Sequence, residues 1–555
     1  MRSHPAGSAC RRRDPILRVA IAGLGPKGLF ALERLLEHAS ALGPTARMEV
    51  DLYEPHPAAG AGPVYDPDQP AYLRMNFAAD QLDMWWPDGG VVPRSRRLPF
   101  VAWRAAGGGE AADYPPRAEA GRYLCEGFER LLRCTPPHIA VQLRRTAVWT
   151  VRRSEGGWEV ATRDSLATYD EVLVAVGHQD SSPSALASDW SLAAPLVPAV
   201  FPVDRTLARD VVAPRATVAI RGFALTFIDA ALALTEGRGG SFEPLDHPYR
   251  LRYVPGPDDV GVILPFTRTG RPMLAKPGRA ISERTPALAT VAAAGRALIA
   301  ALEPPVGLYE DVVPILADSA HQSLTAVGGD PGHEDLDPAS AIDRSLAVGA
   351  GLVPPGRAWA LGHAWRVLYP AIVERLGGGG LSSGDWAGFL RLAGELERLA
   401  FGPPPVNAAK LLALIEAGRV DLAHLRGGSL GDTGGSTLLR SDAGAYPIDC
   451  AVDAVLPPPG AAGHGGLLAD LVAEGHARIP PGRRGLEVTD DASCRALDGS
   501  LPLGLAAIGR PTEDSVIGND TLSRSLHPHA DRWATRVAQR CRDAATSRTR
   551  ERAPA

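Results

Sequence analysis

The stretch Arg18-Val19-Ala20-Ile21-Ala22-Gly23-Leu24-Gly25-Pro26-Lys27-Gly28 begins as a short apolar strand and ends on three glycines spaced GxGxxG. Leu29, Leu32, Leu35 and Leu36 then fall at helical spacing. In a strand–turn–helix of this kind the first glycine permits the tight turn, and the second lets a pyrophosphate approach the backbone. The third lets the helix pack on the strand, and the helix N-terminus faces the phosphate charge. In a chain with 60 glycines the spacing alone says little. The continuation adds to it. After a loop at Gly43-Pro44, Met48-Glu49-Val50-Asp51-Leu52-Tyr53 reads as a second strand, ending at Glu54. An acidic side chain there accepts hydrogen bonds from both hydroxyls of an adenosine ribose. Glu54 lies 26 residues after Gly28, beyond the ~20 usual for the motif, and a long first helix accounts for the excess. Gly23, Gly25, Pro26, Lys27, Gly28 and Glu54 are therefore expected to hold a dinucleotide.

Later segments extend this reading. Val172-Leu173-Val174-Ala175-Val176, closed by Gly177-His178, reads as a parallel strand ending in a glycine turn, which brings Gly177 close to the cofactor. His178 either touches the cofactor or is a solvated turn residue. Thr217-Val218-Ala219-Ile220 leads through Arg221-Gly222-Phe223-Ala224-Leu225-Thr226 into a helix from Phe227 to Leu234. This second fingerprint has Ala224 where the second glycine belongs. It reads as an NAD(P)H site built on Gly222, or as a Rossmann unit kept for packing. Residues 260–266 form a strand before a loop carrying Arg268 and Arg271. Their guanidinium groups match the 2′-phosphate of NADPH, or are simply solvated. Leu505-Ala506-Ala507-Ile508-Gly509 is a further strand into a glycine turn. Asn519-Asp520-Thr521 precedes a terminal helix around Arg532 to Ala544. Gly509 and Asp520 are expected at the cofactor; the alternative for the polar trio is a capped turn.

The bulk numbers narrow the function. A net charge of −5 over 555 residues leaves no nucleic-acid footprint. Arg11-Arg12-Arg13 is followed by Asp14-Pro15 and not by the apolar stretch of an export signal. No uninterrupted apolar segment reaches the roughly 20 residues that span a membrane. The six cysteines are scattered without a CxxC pair. That disfavours zinc and thiol exchange, and with them a disulfide reductase. Free thiols in a reducing cytoplasm are expected, with no metal, no nucleic acid and no membrane partner.

The same segments resemble the bacterial FAD/NAD(P)-binding family that includes FAD-dependent urate hydroxylase and aspartate N-monooxygenase. The resemblance rests on Gly23 to Gly28, on Gly60-Ala61-Gly62-Pro63-Val64-Tyr65 leading to Met75-Asn76, on Pro116-Arg117 through Gly121-Arg122-Tyr123-Leu124, and on Val174 to His178. It continues through Gly222 to Asp229, Arg268 to Arg271 and Gly509 to Arg524. Ala224 departs from the pattern, as does Ala175-Val176-Gly177 where Ala-Thr-Gly is common. The resemblance implies an FAD-dependent, NAD(P)H-using monooxygenase, with NADPH slightly favoured over NADH. It would act through a flavin hydroperoxide on a small polar metabolite, with dioxygen as co-substrate. It also implies that Asn76 and Trp85-Trp86 wall the flavin pocket, although the aromatics suit an ordinary core equally. No catalytic side chain is singled out. The alternatives are a flavin oxidoreductase without oxygen transfer and a non-catalytic FAD-binding scaffold. Arg94-Ser95-Arg96-Arg97-Leu98-Pro99 either binds an acidic substrate or is a solvated face.

The expected fold is α/β, with two Rossmann-type dinucleotide-binding domains, for FAD and NAD(P), and a mainly helical insertion. The boundaries are 1–14 for a disordered tail, 15–215 for the first part of the FAD domain, and 216–290 for the NAD(P) domain. The insertion covers 291–445, the return to the FAD domain 446–545, and a second tail 546–555. Within the insertion, one helix carries Trp386, Phe389, Leu390, Leu396 and Leu399 before Gly402-Pro403-Pro404-Pro405. The next is expected to start at Asn407 as N-cap and to end at Gly418.

Overall fold

The computed structural model describes residues 16–109, 113–178, 186–277, 281, 283, 285–332, 335–457, 460–461, 465–519, 522–524 and 526–551. Its first strands are β1 (Leu17–Ala22), β2 (Met48–Tyr53), β3 (Ile139–Arg144), β4 (Thr150–Ser154), β5 (Gly157–Ala161), β6 (Leu166–Tyr169) and β7 (Glu171–Val174). The middle of the chain holds β8 (Leu196–Val197), β9 (Thr217–Arg221), β10 (Ser241–Pro244), β11 (Leu251–Val254) and β12 (Val262–Phe266). The last are β13 (Ser429–Thr433), β14 (Ser436–Ser441), β15 (Gly444–Pro447), β16 (Cys450–Asp453) and β17 (Leu505–Ala507).

One sheet is parallel throughout, in the order β17-β7-β1-β2-β3. β7 and β17 are buried at every position, which is why they read as continuous apolar runs and not as alternating ones. The helices Pro26–Ser40 and His529–Glu551 share one core with this sheet, through Leu29, Leu32, Leu36, Trp533 and Val537. The other face packs on the antiparallel sheet β4-β5-β6 through Trp158 and Val160. Buried Glu171, at the start of β7, fastens the last helix: it accepts from Trp533 Nε1 at 3.0 Å and from Arg536 at 2.7 Å. That helix runs past residue 545, because no glycine or proline interrupts the chain between Pro528 and Pro554.

A second parallel sheet has the order β12-β9-β16-β8. Two of its strands lie outside residues 216–290. β8 has only 2 residues, too short to show a period, and β16 returns from the far side of the insertion. The insertion packs Trp365, Leu368, Ile372, Phe389 and Leu396 into its own core. Leu390, expected in that stripe, is exposed. The following helix begins at Pro405 and not at Asn407, which is buried inside its first turn. Proline at the first helical position, with its φ already set, fixes that start. Gly418 does follow the helix end, at φ +68°.

Candidate functional site

At the first turn each glycine answers a different constraint. Gly23 has φ +96°, and a Cβ there would lie 2.5 Å from the carbonyl oxygen of Ala175, the residue just after β7. A Cβ on Gly28 would lie 2.2 Å from the Gly23 oxygen, so helix Pro26–Ser40 sits too close to its strand for any side chain. Gly25 is the reverse case: a Cβ would meet nothing within 4 Å. It would instead fill the open space over the helix N-terminus, where Pro26 occupies N1 and the first amides lack intrahelical partners. That cradle fits a pyrophosphate. The Gly60–Gly62 segment is held against it, with the Gly60 amide donating to Leu24 O at 2.7 Å.

Glu54 stands one residue beyond β2, opposite Gly23, and is buried. The Leu24 amide donates to its Oε2 at 2.8 Å and the His56 amide to its Oε1 at 2.9 Å. A carboxylate offers about four lone-pair sites, so each oxygen keeps capacity for a ribose hydroxyl. Gly177, at φ +70°, follows β7 beside Gly23, and its Cβ position is open. Gly509, at φ +73°, faces Lys27, whose Cγ would be 3.3 Å from a Cβ there. Gly509 and Lys27 line a crevice with Trp86, Asn519, Arg524 and His527. Burial, and then the charge of Lys27, pull the His527 imidazole down to about 3, so it is neutral at pH 7. Asn519 donates to Thr512 Oγ1 at 3.0 Å and to Val516 O at 2.8 Å. Asp520 lies outside the described residues.

The second turn repeats the first in outline. The Gly222 amide donates to Phe266 O at 3.0 Å, as the Gly23 amide does to Tyr53 O at 2.9 Å. By register, Thr267 therefore occupies the place of Glu54, and Arg268 comes next. The antiparallel pair β10-β11 accounts for the long separation of Arg268 from Gly222. Ala224 caps helix Leu225–Ala233 with its methyl exposed. The third glycine position is Phe227, fully buried, its ring centroid 5.0 Å from that of Phe223. Arg268 is exposed and makes no ion pair among the described residues, whereas Arg271 pairs with Glu395 of the insertion at 2.9 Å. The two units are joined by Arg117, which donates to buried Asp229 at 2.7 Å.

The sequence analysis did not find a third group. Lys276, in the loop after β12, donates from Nζ to the Asn76 carbonyl and lies 5.7 Å from the centroid of the Tyr114 ring. Arg366, on helix Arg357–Leu376, bears electrostatically on Lys276 and on His363. Its Nε donates to Ala400 O at 3.3 Å. Trp85 is buried, while Trp86 carries the guanidinium groups of Arg34 and Arg524 on its ring. Arg97 of the basic hexapeptide is engaged with the carbonyls of Trp86 and Gly89.

Residues 20–179 match a family model described as FAD-NAD(P)-binding. The chain is 32% identical over 274 residues to L-aspartate N-monooxygenase (nitrosuccinate-forming) of Streptomyces cremeus, covering 43% of this chain and 40% of that protein. It is 31% identical over 251 residues to the nitrosuccinic acid synthase of Aspergillus oryzae, covering 43% and 38%. The chain thus spans about two-fifths of the length of these relatives. Among solved structures, L-lysine 6-monooxygenase from Pseudomonas syringae superposes with a TM-score of 0.52 at 13% identity, over 94% of this chain and 99% of that one. That is a likeness of fold.

Proposed function

From an FAD-NAD(P)-binding domain over residues 20–179, we propose that this chain is an FAD-dependent, NAD(P)H-using monooxygenase that transfers oxygen from dioxygen to a small polar metabolite. The observation that carries the proposal is the pair of turns, each at the C-terminal end of a parallel sheet and each followed by a helix. Such ends are where dinucleotides bind in α/β folds. The relatives' names favour an amine nitrogen as the acceptor. We assign the cofactor contacts as the sequence suggested them, without Arg271, whose charge is committed to Glu395.

In this reading the amides after Gly25 and the helix N-terminus hold the pyrophosphate of FAD, and Glu54 orients the adenosine ribose. Gly177 and Gly509 leave room for the rest of the cofactor. Held there, FAD would supply the redox chemistry that links the coenzyme to dioxygen, and that chemistry belongs to the cofactor. The chain's own part is positioning and exclusion of water. Gly222 and Arg268 would hold NADPH on the second unit, Arg268 through its 2′-phosphate. The described cysteines are all free, and no described helix is long and apolar enough to cross a membrane. Both fit the cytoplasmic setting we assign.

The test is NADPH-dependent incorporation of oxygen from isotopically labelled dioxygen into an amino acid, beginning with L-aspartate. A labelled N-oxygenated product is expected. Steady NADPH consumption with peroxide release and no labelled product from any amine would move the chain to the oxidoreductase reading.

A further inference from the structure

We infer that Arg117 is a positioning residue for flavin reduction, an inference that rests on the two-coenzyme reading above. Through its ion pair with Asp229 it holds the coenzyme-binding unit in register with the FAD-binding unit. Each partner of the pair belongs to a different unit. Arg117 opens helix Arg117–Arg133, whose Ala120, Leu124 and Phe128 lie in the core of the first sheet. Asp229 lies on helix Leu225–Ala233, whose Phe227, Ile228 and Ala231 lie in the core of the second. Arg117 Nη2 donates to Asp229 Oδ2 at 2.7 Å, and the two side chains are only 16% and 4% exposed, so water does not bridge or screen them freely.

The same residue grips the segment that crosses from one core to the other. Leu73 is buried in the second unit's core, and Met75 in the first unit's. Tyr72 packs on the second core beside Leu73, and a Cβ on Gly237 would lie 2.8 Å from its hydroxyl. The Arg117 amide donates to Leu73 O at 2.8 Å, and its Nε to Arg74 O at 3.0 Å. Its guanidinium also lies 5.7 Å from the ring centroid of Phe201, which packs on the second core. One side chain therefore ties the crossing segment to the helix that leaves the second turn.

Charge resists the opening of this joint. Asp229 is buried, and among the described residues Arg117 is its one ion-pair partner. Burial pushes the Asp229 carboxyl above its ordinary range, and the charge and hydrogen bond of Arg117 oppose that rise. Swinging the units apart would withdraw the guanidinium and leave a carboxylate buried without countercharge, which is strongly unfavourable. Asp229 stands about one turn beyond Leu225, the first residue of the helix whose N-terminus faces the coenzyme in the reading above. Its place against the first unit then sets where the coenzyme meets the flavin. Reduction moves two electrons and one proton from NADPH to FAD, leaving NADP+ and FADH−. A misplacement of about 1 Å can slow such a step about a hundredfold.

The test is anaerobic stopped-flow reduction of the FAD-loaded protein, measured per bound flavin, with calorimetry of 2′,5′-ADP binding alongside. Arg117→Met should lower the limiting rate of reduction by NADPH about ten- to a hundredfold and leave 2′,5′-ADP affinity within about twofold. Lost affinity at an unchanged limiting rate would make Arg117 a binding residue and overturn the proposal. The double variant Arg117→Met with Asp229→Asn separates positioning from stability. It removes the uncompensated charge, so stability to urea should recover relative to Arg117→Met while reduction stays slow. A rate that recovers with stability would overturn positioning. Free of a buried unpaired charge, the double variant also reads the rate if Arg117→Met fails to fold. Hydrogen exchange reads the joint without turnover: helix Leu225–Ala233 should exchange faster in the double variant than in the wild type, and equal exchange would overturn the joint. A wild type that neither NADPH nor NADH reduces sinks the two-coenzyme reading and the positioning role together. A wild type that is reduced, with variants equally fast, sinks the positioning role alone.

Discussion

At the first turn a Cβ on Gly28 would come within 2.2 Å of the Gly23 carbonyl oxygen, whereas the matching position of the second turn is occupied by the whole ring of Phe227. Both turns leave a parallel strand, and both are fastened by a glycine amide to the end of the next strand. They differ in how closely the helix approaches. In the first unit a small residue draws the helix N-terminus onto the strand, so its amides converge on the cradle over Gly25. In the second, the aromatic pair Phe223 and Phe227 fills the space between helix and sheet. The comparison teaches that topology and ligand grip are separable: the second unit keeps the connection and relaxes the close approach. On the proposed assignment its grip would depend more on a side chain, Arg268, than on backbone.

The sharpest way to break this contrast is to exchange the demands on the third position. Gly28→Ala should cost about 3 kcal/mol through overpacking against backbone and should empty the FAD site. Phe227→Ala should cost a similar ~3–5 kcal/mol by leaving a cavity, yet retain flavin. Urea unfolding, together with the flavin-to-protein absorbance ratio, separates the two. Retention of full flavin by Gly28→Ala would erase the distinction.

Next in size is Arg268→Gln. Losing a charge-assisted hydrogen bond of about 1.5–3 kcal/mol should raise the KM for NADPH in flavin reduction by about ten- to a hundredfold. NADH kinetics should stay unchanged. An equal effect on both coenzymes would place Arg268 somewhere other than the 2′-phosphate.

The first unit also carries a pH signature. His527 is lowered from its ordinary 6.5 to about 3 by burial. The unfolded chain therefore binds more protons than the folded one across that window, and stability must fall as pH drops from 6.5 toward 3. In His527→Gln the acid limb of the stability curve should flatten. An unchanged limb would mean that His527 is charged in the fold. The smallest expected effect is that of Ala224→Gly. Its methyl is exposed and already accommodated, so NADPH should bind at most a few-fold more tightly, offset in part by the ~0.5–1 kcal/mol entropic cost of glycine.

The parts of this molecule that sequence made legible are those in which one residue meets a local demand. Gly23, Gly28 and Glu54 declare themselves because turn, close packing and strand end each need that residue type. Continuous apolar runs likewise announced the strands β1, β7 and β17 of the first sheet. Assembly was less legible. β8 has no period to read, and β16 joins the second sheet across the whole insertion. The cost of Phe227 at the third position passed unnoticed because an aromatic in a helix looks like ordinary core. Lys276 and Arg366 carried no motif at all. Their only signal was a lone lysine inside Pro272-Met273-Leu274-Ala275-Lys276-Pro277 and a lone arginine following the largely apolar run from Ala358 to Trp365. It is the fold that brings Arg366 near enough to bear electrostatically on Lys276.

The central claim, that FAD sits on the first unit and NADPH on the second with hydride passing between them, is tested most directly by anaerobic titration of the purified protein. The flavin's visible absorbance should bleach on addition of NADPH, more slowly with NADH, and return when air is admitted. A protein that takes up FAD but is bleached by neither coenzyme would contradict the claim.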